Sequence, residues 1–145
     1  MNKIIENFKI EDNAKEDIYI YDAIIDIIDL SFFTFYRNVQ INRCLINNLK
    51  IHSSWFNNGF ELNSCIIKNK VQYEMGGHNA LPVKITNNLF CDIFIFFDCH
   101  FNKLILENNI FQEGCTILGN EMNNTFEDGI EISNNIGNMY MNQID

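Results

Sequence analysis

"ITNNLF" at residues 85–90, "LENNIF" at 106–111 and "EISNNIG" at 131–137 share one pattern: an aliphatic residue, a paired asparagine and a second aliphatic residue. Working back from these copies, "QINRCLINNLKI" (40–51) lies over "YIYDAIIDIIDL" (19–30) with a shift of 21, and each of its apolar residues falls on an apolar one. Ile20 falls on Ile41, Ala23 on Cys44, Ile25 on Ile46, Ile28 on Leu49 and Leu30 on Ile51. "FELNSCIIKNKVQY" (60–73) takes the same step again, so six copies account for nearly everything after residue 17. A fixed period of this length marks a repeat architecture.

Within a copy the apolar spacing is short and alternating. Val39-x-Ile41, Val83-x-Ile85 and Ile130-x-Ile132 read as brief strands with two inward side chains. A polar corner follows, then an aliphatic pair such as Leu45-Ile46 or Leu89-Phe90, then a third segment: Leu49-x-Ile51, Val71-x-Tyr73, Ile93-x-Ile95, Cys115-x-Ile117. Three such strands in about 21 residues are too short for helices. They suit a coil in which each strand pairs in parallel with its copy one turn later, about 4.8 Å away. The expected fold is all-β, a right-handed parallel β-helix of about six coils over residues 18–145, with residues 1–17 as an N-terminal cap.

The asparagine pair then has a physical role. Asparagine tolerates left-handed dihedrals at a sharp bend better than most residues. If the second of each pair turns inward, Asn88, Asn109 and Asn135 stack and their amides bond along the stack, which satisfies polar groups inside the core. Ala23, Cys44 and Cys65 fill the same column in earlier coils, and stacked free thiols are expected there ahead of a disulfide. These motifs resemble the repeat of pectin-lyase-like parallel β-helix proteins over about residues 18–141. The five-residue step Ile20, Ile25, Leu30, Phe35 is also similar to pentapeptide-repeat solenoids, a second-ranked resemblance because Ile or Leu often replaces their polar residue. Both imply architecture and say little of activity.

Composition bounds the partners. The 145 residues are 47% hydrophobic, which suits one globular domain, and carry 10 basic against 19 acidic residues for a net charge of −9. That balance weighs against nucleic acid, whose phosphates need cations, and against an anionic membrane surface. The N-terminal residues are interrupted by charges, no stretch approaches a membrane span, and the five cysteines show no CxxC spacing. A cytoplasmic location is the expectation.

Assigning the inward columns leaves the outward ones. On the first strand these are Tyr19, Gln40, Glu61, Lys84, Ile105 and Glu131, expected as a solvated face with Glu61 beside Lys84. The first residue of each aliphatic pair gives a second column: Ile24, Leu45, Ile66, Leu89, Ile110 and Ile136. Either it turns into the core, or Ile4, Ile5, Phe8 and Ile10 cover it, or it is an exposed partner-binding stripe. Trp55, beside a core Phe56, is a further partner-binding candidate. Insertions at 74–82 and 118–129 make Met75, His78, Glu121, Glu127 and Asp128 loop candidates. The C-terminal residues offer no evident cap.

Catalytic chemistry finds thin support. Glu107 and Glu131 sit on adjacent coils two residues out of step, with backbones about 8 Å apart, in the range of an inverting carboxylate pair. The resemblance places catalytic groups on that face, but its cluster of Asp, Arg or Lys is missing here. His78, His100, Cys99 and Asp98 approach one corner without a ligand spacing, so no metal and no cofactor are expected. The reading is a non-enzymatic β-helix that binds a protein partner or itself, as an immunity-type inhibitor or self-associating module. The alternatives are a carbohydrate-binding or carbohydrate-cleaving β-helix using Trp55, Tyr19 and the carboxylates, or a module of a trimeric spike or adhesin.

Overall fold

The structure, a computed structural model, describes residues 3–9 and 16–142. Among these residues there are strands, turns and bends and no helix. Neighbouring strands pair in parallel throughout. The first sheet stacks Ile18–Tyr21, Val39–Asn42, Phe60–Asn63, Val83–Thr86, Leu104–Glu107 and Ile130–Ser133 in that order. The second stacks Ala23–Asp29, Leu45–Lys50, Ile66–Ile67, Leu89–Phe90 and Ile110–Phe111. Val71–Glu74 pairs with Phe94–Phe97 in a separate short sheet, and beyond the next bend a discontinuous third wall stacks Thr34–Phe35 on Trp55–Phe56 and His100–Phe101 on Thr125–Phe126. The chain is therefore a parallel β-helix of about five turns with a partial sixth.

In-register partners follow the repeat: Ile18 lies on Val39, Val39 on Phe60, Phe60 on Val83, Val83 on Leu104 and Leu104 on Ile130. Inside the coil the side chains stack by type. Phe35 lies on Phe56 at 5.2 Å between ring centroids, and Phe90 on Phe111 at 5.0 Å, both near parallel. Each such ring or aliphatic chain, buried, stabilises the coil by about 1.5–3 kcal/mol.

Two corners recur in each turn, and both demand a left-handed residue. At the first, Asp22, Arg43, Ser64, Asn87, Asn108 and Asn134 have φ between 53° and 60°. At the second, Phe32, Ser53, Met75, Asp98 and Asn123 have φ between 53° and 65°. Except at the last residue of each column, the corner amide donates to a carbonyl of the next coil, as Asn87 does to Glu107 and Met75 to Phe97. The residue after the corner turns inward. Asn109 Oδ1 accepts from both the amide and Nδ2 of Asn88, and Asn135 Oδ1 accepts both from Asn109. Asn88, Asn109 and Asn135 also donate to carbonyls of Leu62, Ile85 and Leu106. Cys65 Sγ accepts from the Cys44 amide, and both thiols are free.

One register differs from the sequence reading. Val71 pairs with Phe94 and Tyr73 with Phe96, so Phe94 and Phe96 face the core, and Ile93-x-Ile95 does not. The run "IFIFF" is apolar at both parities, and a one-residue slip exchanges the two faces. Ile93 and Ile95 are buried on the outer side by Met122, with Phe97 and Met141 packed on them. The insertion 118–129 supplies that cover.

The N-terminal strand Lys3–Lys9 joins the edge of the second sheet, Ile4 opposite Ile24 and Phe8 opposite Ile28. It lies within the sheet and not across its outer face, so it does not cover the aliphatic column. Ile10 lies outside the described residues. At the other end residues 138–141 continue the partial sixth coil along 115–118: Asn138 O accepts from Cys115, Met139 O from Leu118, and Met139 packs against the core.

Candidate functional site

The aliphatic column is continuous on the outside of the second sheet. Ile24 lies beside Leu45, Leu45 beside Ile66, Ile66 beside Leu89, Leu89 beside Ile110 and Ile110 beside Ile136. Ile24, Ile66 and Ile110 are each 40% exposed, Ile136 more so, and Leu45 and Leu89 are half-buried. In the third to fifth coils the strands are two residues long, so only one residue of each points outward and the column is narrow.

Its rims are polar, and several of their groups bond within the rim. On one side Arg43 holds Asp22 through two nitrogens, at 2.6 and 3.2 Å, and this bond lowers the Asp22 pKa. Asn87 donates to Asn63 in the same rim. On the other side Asn47 donates to Asp26 at 2.9 Å and Asn69 to Asn48 at 3.0 Å. An apolar stripe with such a border has the anatomy of an interaction surface.

Trp55 stands on the third wall, away from this stripe. It is 41% exposed, meets the tilted His78 ring at 4.2 Å between centroids, and donates its indole N–H to Met75 O. His78 in turn meets His100 edge-on at 6.0 Å, and His100 bonds Asp98 and Thr125. Desolvation and the neighbouring His100 lower the His78 pKa, so this ring favours its neutral form. Among the described residues no group of three or more His, Cys, Asp or Glu is placed to hold a metal ion.

The remaining loop candidates do not converge. Glu121, Glu127 and Asp128 are exposed along the insertion, whose buried contribution is Met122. Glu131 pairs with Lys103 at 3.2 Å, while Glu107 accepts a hydrogen bond from Ser133 at 3.1 Å. Each carboxylate is thus tied to its own neighbour. Tyr19 lies on the first sheet and Trp55 on the third wall, so the two share no groove.

Burial holds the Cys99 and Cys115 thiols up to about 12, which leaves them protonated and unreactive at neutral pH. Stacking splits the other pair: the hydrogen bond with Cys65 lowers Cys44, and the same contact together with burial raises Cys65.

Two features do not follow from the repeat pattern. A second inward ladder runs down the second corner: Ser54 Oγ donates to Leu30 O, Cys99 Sγ to Tyr73 O and Asn124 Nδ2 to Phe96 O. Its signal is the dipeptide series Ser53-Ser54, Asp98-Cys99, Asn123-Asn124, in step with the repeat but varied in type. The other is a pair of adjoining grooves at that corner, about 440 and 310 Å³, separated by Phe32. The 21-residue step sets Phe32 on Ser53, but its residue type does not distinguish it from a core residue.

Charge is distributed unevenly along the axis. The N-terminal strand and first coil (residues 3–9 and 16–38) carry six acidic and three basic groups, residues 39–103 six basic and four acidic, and residues 104–142 six acidic and no basic. Because coils stack in chain order, these counts are bands: negative, positive, negative. No family model matches the chain, and no curated protein or solved structure shows significant similarity to it.

Proposed function

We propose that this chain is a non-enzymatic β-helix that binds a protein partner through the outer face of its second sheet. The observation that carries the reading is the six-membered aliphatic column, exposed along the coils and bordered by polar groups that largely bond one another. Burying it against a partner removes apolar surface from water and strands few polar atoms. A flat sheet face with a regular spacing suits either a second copy of the chain or another extended surface. The separated engagements of Glu107 and Glu131 favour a binding role over carboxylate chemistry.

The test is capture of the partner by the purified chain, beside sedimentation velocity for self-association, with Ile66→Glu and Ile110→Glu combined. Circular dichroism of the variant is expected to match the parent, since both side chains point outward. Loss of the complex, or of the dimer, is the expected result. A folded double variant that keeps its partner at full affinity overturns the proposal.

A further inference from the structure

The second corner carries an oddity that the first does not. Among the described residues twelve non-glycine positions have positive φ, and all but two of them are Asn, Asp, Ser, His or Arg. Leaving aside the Arg and His, polar short side chains dominate because they tolerate the left-handed backbone. The two large apolar exceptions are Phe32 (φ 65°) and Met75 (φ 54°), in the same corner column two coils apart. Neither is compensated by burial: Phe32 is 72% exposed and Met75 47%. Strain held at exposed positions, where the Phe32 ring gains only a tilted contact with His52 at 5.2 Å between centroids, points to a contact outside the chain.

The surroundings define its chemistry. On one side of Phe32 the groove of about 310 Å³ is walled by Phe33, Trp55 and Met75, the residue types enriched where proteins anchor to one another. On the other side the groove of about 440 Å³ is lined by Lys50, Lys70, His52, Gln72 and Asp29. His52 is occupied by Glu74 at 2.6 Å, and Asp29 accepts the Ser31 amide at 3.1 Å. Lys50 and Lys70 have no ion-pair partner among the described residues, in a chain whose net charge is −9. They belong to the positive central band.

We infer that this corner is a second binding site, for an extended polypeptide segment that places an aromatic side chain in the groove beside Trp55 and adjacent carboxylates over Lys50 and Lys70. An extended chain is the occupant that can straddle the Phe32 ridge and use both grooves. The site does not depend on the aliphatic stripe, which lies on another wall.

Trp55 is the single tryptophan, so its emission reports the site directly. The probe is an acetylated hexapeptide with two phenylalanines among four aspartates. One control replaces the aspartates with lysines, and a second replaces the phenylalanines with alanines. The expected result is a saturable shift of Trp55 emission with the acidic aromatic peptide, and at least tenfold weaker binding of both controls. Phe32→Asn and the pair Lys50→Glu, Lys70→Glu are each expected to weaken binding at least fivefold. Asparagine fits the left-handed corner, so Phe32→Asn is expected to melt no lower than the parent, and its loss of binding then cannot be ascribed to unfolding. Ile66→Glu, on the stripe, is expected to bind the peptide normally.

No saturable shift at millimolar peptide overturns the inference, as does equal binding of the lysine control or full affinity in Phe32→Asn. Phenylacetate binding as tightly as the peptide replaces the polypeptide with a small aromatic acid and overturns it too. An emission shift that grows with protein concentration alone assigns the grooves to a second copy, and the peptide site falls with it.

Discussion

The two corners of each turn make the same backbone demand and answer it differently. At the first corner the later coils use Asn87, Asn108 and Asn134 for the bend and Asn88, Asn109 and Asn135 for the interior. Conformation, hydrogen bonding and stacking all agree there. At the second corner the bend falls on Phe32, Ser53, Met75, Asp98 and Asn123, and the interior on Ser54, Gly76, Cys99 and Asn124. Only the last coil matches the asparagine solution. Local agreement is what a sequence selected for folding shows, and departures concentrate where another requirement competes. The second corner is where this chain departs.

The contrast can be broken most severely at Asn109. Its amide answers Asn88, Ile85 and Asn135 together, so Asn109→Ala strands several buried polar groups at once. We expect a loss of about 3–5 kcal/mol, read as a lowered denaturation midpoint. Alkaline pH strikes next, at Cys99 and Cys115. Their folded pKa of about 12 lies above the ordinary thiol value of 9.0, so between these values the unfolded chain has lost the two protons and the folded chain has kept them. Stability is intact below pH 9 and falls as pH rises, by about 1.4 kcal/mol per unit for each thiol. Melting curves from about pH 8 to about pH 10.5 should show this slope, and Cys99→Ala with Cys115→Ala should reduce it to the part left by the raised Cys65 thiol.

A subtler break lies at Gly77, whose φ is +95° and where a Cβ would stand 2.3 Å from the His100 carbonyl oxygen. Gly129 has φ of +103° and open space around it. Gly77→Ala should therefore cost about 2–3 kcal/mol and Gly129→Ala about 1 kcal/mol, a difference that isolates crowding from conformation. Phe32→Asn sharpens the comparison from the opposite side. Giving the second corner the first corner's residue should stabilise the chain by about 1 kcal/mol, measured by thermal unfolding. The smallest effect belongs to the first corner's exposed ion pair: Arg43→Ser should leave the melting temperature unchanged at physiological salt, because water and ions screen that pair.

Much of this was legible in the residues themselves. The steps between coils follow from superposing "YIYDAIIDIIDL" on "QINRCLINNLKI", and the asparagine ladder follows from the need to satisfy buried amides. Period-2 alternation separates inside from outside only when one parity is polar. At Phe94–Phe97 both parities are apolar, and the decision passes to a distant insertion that brings Met122 over Ile95. The stripe was readable as a column, but its exposure depended on where the N-terminal residues run. Trp55 was visible as a lone aromatic. Phe32 was not, since an apolar residue at a left-handed corner has the same letter as one in the core, and only coordinates tell a strained ring in water from a packed one.

The banded charge has a consequence for crowded copies. A short rod with negative tips and a positive waist behaves as a linear quadrupole, and its bands lie roughly a Debye length or more apart at physiological ionic strength. Two such rods laid flush set like signs opposite along their whole length. Sliding one of them by half a length brings tip to waist and turns repulsion into attraction, so any lateral array of this chain should be brickwork, loosening as salt is added.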